Sequence, residues 1–376
     1  MANLLDYLYF RKDIRFQEKA FNKIDALILS ELAYVDWDSI VGEKEVSLKK
    51  ACRLFLKVNS EDTLKERYAY AAKIPNMIKA VQKMDRYQDI KIRDYITVLD
   101  EEKVVQFAAC TFVLPFDALM IAYRGTDSTI LGWQEDMHMT YQDEVESQKL
   151  AAQYLDNVMK QLPMESSFFG LRKQVHYPQI YLGGHSKGGN LAMYALLKTQ
   201  WEEHITKVYN FDGPGFRDSF LAQNALHQGW DKIESYLPKC SIIGRLLSQH
   251  EKVRQWIVDG DMSGLSQHDP FHWHVDVNDF VYVEKLEKES DEIHDYIRTM
   301  LLDKEDQKKQ EYIALIFSIL GKLEITQISD LSELTLKKAM SGIVEFTNMN
   351  GEERKFMIEV IHFLFSQTKS ILFKRH

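Results

Sequence analysis

The segment Tyr181-Leu182-Gly183-Gly184-His185-Ser186-Lys187-Gly188-Gly189-Asn190 decides the fold of this chain. It begins as an apolar strand, continues as a Gly-x-Ser-x-Gly pattern, and is followed from Asn190 by residues typical of a helix. Side chains at Gly184 and Gly188 would collide with the neighbouring strand and helix if the strand turned directly into the helix. The pattern therefore predicts a sharp strand-to-helix turn with Ser186 at its apex.

This turn has the context of a nucleophile elbow, in which a strained backbone exposes a serine hydroxyl at the carboxyl edge of a sheet. We therefore predict that Ser186 is a nucleophile. The N-terminus of the helix behind it favours negative charge that develops on the oxygen of a reacting carbonyl group. We expect the side chain of His185 to point away from the serine and pack, and the side chain of Lys187 to be solvated.

A second segment, residues 118–128, ends a predicted strand about 60 residues before the serine and contains Arg124-Gly125-Thr126. An oxyanion hole needs one backbone N–H from the residue after the nucleophile, which here is Lys187, and one from a loop after an earlier strand. Thr126 fits the second position, and its hydroxyl is a further donor. We predict Thr126 and Lys187 as the oxyanion hole.

The chain around the elbow predicts the α/β class with a mostly parallel central sheet. Strands predicted at 118–123, 179–182 and 207–211 alternate with helices predicted at 145–162 and 190–198, which is typical of βαβ units. Further strands are predicted at 92–99, 104–114, 233–237, 255–258 and 280–283, and further helices at 291–302, 310–323 and 353–373. We predict one domain over residues 1–286, with a helical N-terminal section, and a C-terminal helical extension over 287–376.

Composition excludes several classes of protein. The 376 residues include 47 Lys and Arg against 56 Asp and Glu, a net charge of −9 that lacks the basic footprint of a nucleic-acid binder. Cys52, Cys110 and Cys240 are too widely spaced for a zinc site or a disulfide framework, and no metal or organic cofactor is expected. No targeting signal is evident, so we expect a cytoplasmic protein. Membrane contact by the amphipathic end, residues 363–375, stays open.

Three motifs, residues 123–126 (YRGT), 133–136 (WQED) and 184–189 (GHSKGG), together resemble the class 3, or fungal-type, lipase pattern. In that family the first motif leads to the oxyanion loop and the third is the elbow. Residues 1–285 also resemble a bacterial branch of lipase-like α/β-hydrolases of unknown function, with further similar segments at 21–25, 210–216, 241–244 and 267–269. The resemblance implies an α/β-hydrolase fold, and it implies that Asp136 braces the oxyanion loop and pairs with Arg124.

A serine nucleophile needs a histidine to take its proton and an acid to fix the tautomer of that histidine. In α/β-hydrolases the order along the chain is serine, acid, histidine. We predict His268 as the base, because it lies on a loop after the last predicted strand of the core at 255–258 and because the resemblance implies the same residue. His272 stays open as a substitute.

The acid is predicted to be Asp212, at the end of the strand that follows the elbow. In class 3 lipases the acid follows the strand after next, but this chain has Pro238-Lys239-Cys240-Ser241 there, without a carboxylate. Some lipases of the pancreatic type place their acid at the position of Asp212. Asp259 and Asp261 stay open as alternatives.

Together these residues predict a serine hydrolase that cleaves carboxylic esters through an acyl-enzyme intermediate. The expected partner is a small-molecule or lipid ester, whereas the acyl-chain length and the oligomeric state are left open. The departure from the lipase pattern at the acid, together with the helical ends, supports one alternative. In that alternative the protein keeps the fold as a non-catalytic interaction scaffold.

Overall fold

The computed structural model describes residues 1–42, 44–60, 64, 73–127, 129–167, 172–326 and 349–360. An eight-stranded sheet lies at its centre, and two two-stranded sheets lie outside it. The strands are β1 (Val46–Ser47), β2 (Lys91–Asp100), β3 (Val105–Leu114), β4 (Ala118–Tyr123), β5 (Met164–Ser167), β6 (Arg172–Val175), β7 (Gln179–His185), β8 (Ile205–Phe211), β9 (Ile233–Pro238), β10 (Arg254–Val258), β11 (Val275–Asp276) and β12 (Asp279–Phe280). The α-helices are α1 (Leu4–Arg11), α2 (Lys23–Leu32), α3 (Leu48–Val58), α4 (Ile74–Val81), α5 (Ile130–His138), α6 (Glu146–Gln161), α7 (Lys187–Lys198), α8 (Asp218–Gln223), α9 (Lys288–Ile297) and α10 (Asp306–Lys322), and residues 351–360 are also helical.

The central sheet has the strand order β1-β2-β3-β4-β7-β8-β9-β10. The pairs β1-β2, β2-β3 and β3-β4 are antiparallel. The pairs β4-β7, β7-β8, β8-β9 and β9-β10 are parallel, so four of the seven pairings are parallel. Parallel neighbours need a crossover connection, and α6 and α7 lie in the connections before and after β7. The predicted α/β class with a mostly parallel sheet is confirmed.

The two faces of the sheet are covered by different helices. In β4, which is buried throughout, Leu119 and Ile121 belong to an apolar cluster with residues of α6 and α7. Met120, between them in the sequence, belongs to a second cluster with residues of α2 and α3. Successive side chains of a strand point to opposite faces, so this alternation places the N-terminal helices on one face and the crossover helices on the other.

The loops that carry the predicted site residues lie at one edge of this sheet. Because β4 and β7 to β10 run parallel, their carboxyl ends meet at the same edge. The segments that follow these five strands carry, in chain order, Thr126, Ser186, Asp212, Ser241 and His268. Loops at the carboxyl ends of parallel strands are where open α/β sheets bind ligands.

Of the strand predicted at 280–283, the structure shows Phe280 within a strand, β12, and Tyr282 as an isolated antiparallel bridge to Val258 of β10. β12 covers only Asp279–Phe280 and pairs with β11. Between Phe280 and Tyr282, Val281 forms backbone hydrogen bonds to two segments. Its N–H donates to His274 O at 3.0 Å, and its carbonyl oxygen accepts from Asp259 N at 2.8 Å.

The helices after residue 286 depart from prediction at their ends. The helix predicted at 291–302 begins at Lys288 and changes at Arg298 to a π-helical segment, Arg298–Leu302. Of the helix predicted at 353–373, the structure describes and shows as helical residues 353–360, and the rest, with the amphipathic end at 363–375, lies outside the described residues. Leu301, Tyr312 and Phe356 belong to a third apolar cluster. Within the described ranges, no helix is both long and apolar enough to cross a membrane.

Candidate active site

Ser186 lies at the turn between β7 and α7 with φ of 58° and ψ of −136°, a backbone conformation that serine rarely adopts. Residues held in such regions cost about 1–3 kcal/mol and persist only where the surroundings fix them. The amide of Ser186 donates to Phe211 O at 2.9 Å, and its carbonyl oxygen accepts from Gly189 N at 2.9 Å. The turn is therefore held from the neighbouring strand and from the helix.

The glycines on either side of the serine have the steric role that the sequence predicts. A Cβ at Gly188 would lie 2.2 Å from Tyr123 O, and a Cβ at Gly184 would lie 2.2 Å from the carbonyl carbon of Gly188. Both are backbone atoms, which cannot move aside as cheaply as the end of a flexible side chain. The close approach of strand and helix leaves the serine itself 9% exposed.

His268 and Asp212 form a hydrogen-bonded pair. His268 Nδ1 lies 2.7 Å from Asp212 Oδ2, and the Asp212 side chain is fully buried. A carboxylate at Nδ1 favours the tautomer that is protonated there, which leaves Nε2 as a proton acceptor. The loop of His268 is held by Gln267, which accepts from Cys240 N at 2.5 Å and donates to Met262 O at 2.7 Å.

The other carboxylate oxygen of Asp212 contacts residues that sequence reasoning did not identify. Oδ1 accepts from Ser241 Oγ at 2.5 Å and from Gly244 N at 3.2 Å. Ser241 belongs to the segment after β9 in which class 3 lipases carry their acid. The position of Ser241, a polar residue just after a parallel strand, is the sequence signal that could have identified it. Its hydroxyl binds Asp212, which follows the neighbouring strand β8.

The two alternative acids contact another histidine. Asp259 Oδ2 lies 3.1 Å from His274 Nδ1, and Asp261 Oδ1 lies 2.6 Å from His274 Nε2. Hydrogen bonding to His274 lowers the pKa of Asp261. Both ring nitrogens of His274 are thus occupied, and the structure brings Asp212 to His268.

The alternative base, His272, faces a different group of charges. Its Nε2 lies 3.0 Å from Lys73 Nζ and 3.3 Å from Asp269 Oδ2. Burial lowers the pKa of Lys73, and the charge of Asp269 opposes that shift. His272 is therefore engaged with Lys73 and Asp269.

The loop after β4 comes directly beside the serine. The Cβ that an alanine at position 125 would carry lies 3.0 Å from Ser186 Cβ, so the absence of a side chain at Gly125 permits this approach. The hydroxyl of Thr126 donates to Asp136 Oδ2 at 2.5 Å. The amide of Lys187 is the first of helix α7, where N–H groups have no acceptor within the helix. Both residues predicted as oxyanion donors belong to segments that adjoin Ser186.

The prediction that the Lys187 side chain is solvated is wrong. The residue is 1% exposed, and its ammonium group lies 3.0 Å from Glu135 Oε2, which is equally buried. Nζ also donates to Gln106 O at 3.0 Å and to Gln106 Oε1 at 3.1 Å. The side chain turns inward because β3 and α5 together provide a carboxylate and two further oxygen acceptors.

The bracing residue Asp136 pairs with Lys187 and not with Arg124 as the resemblance implied. Asp136 Oδ1 lies 3.5 Å from Lys187 Nζ, whereas Nη2 of Arg124 lies 3.8 Å from Asp127 Oδ2. Burial raises the pKa of Asp136, and the positive charge of Lys187 opposes the rise. Asp136 therefore connects the lysine after the serine to the hydroxyl of Thr126.

His185 packs against the imidazole ring of His268. The ring centroids are 4.4 Å apart, and His185 Nε2 lies 2.8 Å from His268 O. Burial lowers the pKa of His185 well below its usual range, so the ring is neutral and Nε2, which faces a carbonyl oxygen, carries its proton. Nδ1 is then an acceptor, with Tyr34 Oη at 3.2 Å and Glu31 Oε1 at 3.3 Å. Sequence reasoning missed both partners, since no local pattern marks them.

Comparison with protein families matches residues 81–318, more than half of the chain, to the Mbeg1-like family. The chain belongs to the Mbeg1-like family. The matched range includes Ser186, Asp212 and His268, whereas Glu31 and Tyr34 precede it. No curated protein matches the Mbeg1-like chain in sequence.

Two solved structures have a distant likeness to this Mbeg1-like protein. The crystal structure of M37 lipase shares 15% identity at a TM-score of 0.33, over 60% of this chain and 69% of that one. The native Rhizomucor miehei lipase propeptide complex shares 17% identity at a TM-score of 0.30, over 48% of this chain and 60% of that one. The chain thus spans less than two thirds of the length of the Rhizomucor protein.

One group of side chains in the described part of the Mbeg1-like chain has the spacing of metal ligands. The candidate ligand atoms of Cys240, Glu287 and Glu289 lie within 4.8 Å of one another. Burial and the neighbouring carboxylate of Glu287 raise the pKa of Cys240 to about 12. Lys239 Nζ lies 3.1 Å from Glu287 Oε1, so a protein cation already compensates this carboxylate.

Proposed function

We propose that this protein is a serine hydrolase with an α/β-hydrolase fold that cleaves carboxylic esters of small molecules or lipids. The observation that carries the proposal is the strained backbone of Ser186 at the same sheet edge as the 2.7 Å pair of His268 and Asp212. Residues with strained backbone conformations destabilise the fold and are found mainly at functional sites. A buried carboxylate on Nδ1 of a histidine is the arrangement that activates serine nucleophiles.

The first half of the reaction forms an acyl-enzyme. Ser186 Oγ attacks the carbonyl carbon of the ester, and its proton passes to Nε2 of His268. The carboxylate of Asp212 stabilises the imidazolium that results. The amides of Thr126 and Lys187 donate to the oxyanion, and each such donor typically contributes about 2.7–4 kcal/mol to the stabilisation of the transition state. The carbon–oxygen bond then breaks, and the alcohol leaves with the proton from His268.

The second half of the reaction repeats these steps with water. His268 takes a proton from a water molecule, whose oxygen attacks the acyl carbon of the intermediate. When the second tetrahedral intermediate breaks down, the carboxylic acid leaves and the proton returns from His268 to Ser186 Oγ. The groups named here balance the reaction in protons, so the proposed mechanism requires no metal or organic cofactor.

The proposal is tested with a fluorophosphonate probe, which labels activated serines covalently. We expect the wild type to be labelled, and Ser186→Ala and His268→Ala to lose labelling. His272→Ala is the matched control and is expected to be labelled like the wild type, because His272 faces Lys73 and Asp269. Circular dichroism establishes that each variant is folded.

A panel of esters with short, medium and long acyl chains then identifies the substrate class. Equal labelling of the wild type, Ser186→Ala and His268→Ala would refute the assignment of both residues. A folded wild type that is neither labelled nor active on any ester, thioester or lipid would favour the interaction scaffold over the hydrolase.

A further inference from the structure

The N-terminal helical section brings a tyrosine hydroxyl to the candidate active site. Tyr34 lies two residues beyond α2, which packs on β7 and β4. The Cβ that an alanine at position 125 would carry lies 2.1 Å from Tyr34 Oη and 3.0 Å from Ser186 Cβ. Because both distances are measured from one point, the phenol oxygen lies within about 5 Å of Ser186 Cβ. Tyr34 is half-buried.

The hydroxyl of Tyr34 lies near two acceptors of His185, the ring Nδ1 at 3.2 Å and the backbone oxygen at 3.4 Å. Nδ1 of neutral His185 has one lone pair, and two groups lie within reach of it: Tyr34 Oη at 3.2 Å and Glu31 Oε1 at 3.3 Å. Burial raises the pKa of Glu31 well above its usual range, and the nearby charge of Asp269 adds to this. The protonated carboxyl group is a donor. Among the described residues, Glu31 Oε1 is buried without a hydrogen-bond partner, so a donation from Glu31 to Nδ1 would satisfy it and let the phenol proton turn from Nδ1 to another acceptor.

We propose that Tyr34 is a catalytic residue whose hydroxyl donates a hydrogen bond to the oxyanion of the tetrahedral intermediate on Ser186. This inference rests on the proposed hydrolase function. A hydrogen bond to an anion is stronger than one to a neutral nitrogen, so the exchange of acceptor stabilises the intermediate more than the resting enzyme. Interactions that strengthen only in the transition state are those that raise kcat. The phenol keeps its proton throughout, and the covalent steps are unchanged.

Tyr34→Phe tests the inference, because it removes the hydroxyl and keeps the ring. We expect kcat for ester hydrolysis to fall about 10²-fold with KM little changed, which is the low end of the range for one oxyanion donor. Tyr181→Phe is the matched control: the Tyr181 hydroxyl donates to the exposed Gln179 at 3.0 Å, and kcat is expected to be unchanged. Rates are referred to the folded fraction, measured by circular dichroism, so that partial unfolding does not imitate a loss of catalysis.

A trifluoromethyl ketone, which forms a tetrahedral adduct with an active serine, separates catalysis from positioning. If Tyr34 contacts the oxyanion, Tyr34→Phe weakens binding of the ketone by the same factor as it lowers kcat/KM. Wild-type kcat in Tyr34→Phe, or a lowered kcat with unchanged ketone binding, would overturn the inference while the inactivity of Ser186→Ala still supports the hydrolase. A wild type that is neither labelled nor active would overturn both.

Discussion

Replacing Lys187 by methionine tests whether a buried ammonium group stabilises the oxyanion side of the candidate site. The change removes contacts of 3.0 Å to Glu135 Oε2, 3.5 Å to Asp136 Oδ1, and 3.0 and 3.1 Å to the two oxygens of Gln106. Removing one partner of a buried ion pair costs about 3–5 kcal/mol, because the other charge is left uncompensated. The Lys187 and Glu135 side chains are each 1% exposed, so we expect the free energy of unfolding to fall by about that amount.

This loss of stability should depend on pH. Burial already raises the pKa of Asp136 in the folded protein, and Lys187 opposes the rise, so the methionine variant has a still higher folded-state pKa. A carboxyl group with a higher pKa in the folded than in the unfolded state binds more protons when folded, and stability then decreases as pH rises. The destabilisation by Lys187→Met is therefore expected to be larger at pH 7 than at pH 5.

Urea unfolding followed by circular dichroism at both pH values measures these quantities. Lys207→Met is the matched control: Lys207 Nζ lies 2.8 Å from Glu234 Oε1, but its side chain is 35% exposed, and such pairs contribute only about 0–1 kcal/mol. Adding Glu135→Gln to Lys187→Met is expected to restore part of the lost stability, since it removes the uncompensated carboxylate. A loss below about 1 kcal/mol, or one that is equal at both pH values and is not restored, would refute the reasoning.

Three further substitutions test the geometry around the serine. Asp212→Asn keeps the shape of the side chain but favours the wrong tautomer of His268, so kcat for esters is expected to fall about 10⁴-fold with the fold intact by circular dichroism. Ser241→Ala removes the 2.5 Å hydrogen bond to Asp212, and initial rates of ester hydrolysis are expected to show kcat lower by about 10-fold at a similar KM. Gly188→Ala places a Cβ 2.2 Å from a backbone oxygen and is expected to destabilise by at least about 1–3 kcal/mol in urea unfolding, whereas Gly42→Ala, with nothing within 4 Å, should have little effect.

The elbow and the sheet around it were predictable because they follow from local rules. The strand predicted at 118–123 coincides with β4, and the helix predicted at 145–162 differs from α6 by one residue at each end. Apolar runs, turn glycines and helical spacing are properties of neighbouring residues and need no tertiary information. The steric need for Gly184 is also local, since its nearest neighbour is Gly188, whereas the nearest neighbour of Gly188 is Tyr123 O of β4, which only the folded chain brings close.

The partners of charged side chains were less predictable, because they come from distant parts of the chain. Asp212, Asp259 and Asp261 were all open as the acid, and only the arrangement of strands brings Asp212, 56 residues away, to His268. Lysine is usually solvated, and nothing near Lys187 in the sequence indicates otherwise. Its acceptors, Glu135 and Gln106, lie 52 and 81 residues before it and meet it only in the folded protein.

The two neighbours of Ser186 explain together how an unfavourable backbone conformation is maintained. His185 contacts Glu31 and Tyr34 of the N-terminal section, and Lys187 contacts Glu135 of α5. Both side chains are buried and hydrogen-bonded, so any relaxation of the turn toward ordinary φ would leave buried polar groups without partners, at about 1–3 kcal/mol each. That penalty is comparable to the strain of one residue in a sparsely populated region, about 1–3 kcal/mol. The strained turn is therefore retained by interactions from both flanks, one of which depends on residues that precede the matched family range.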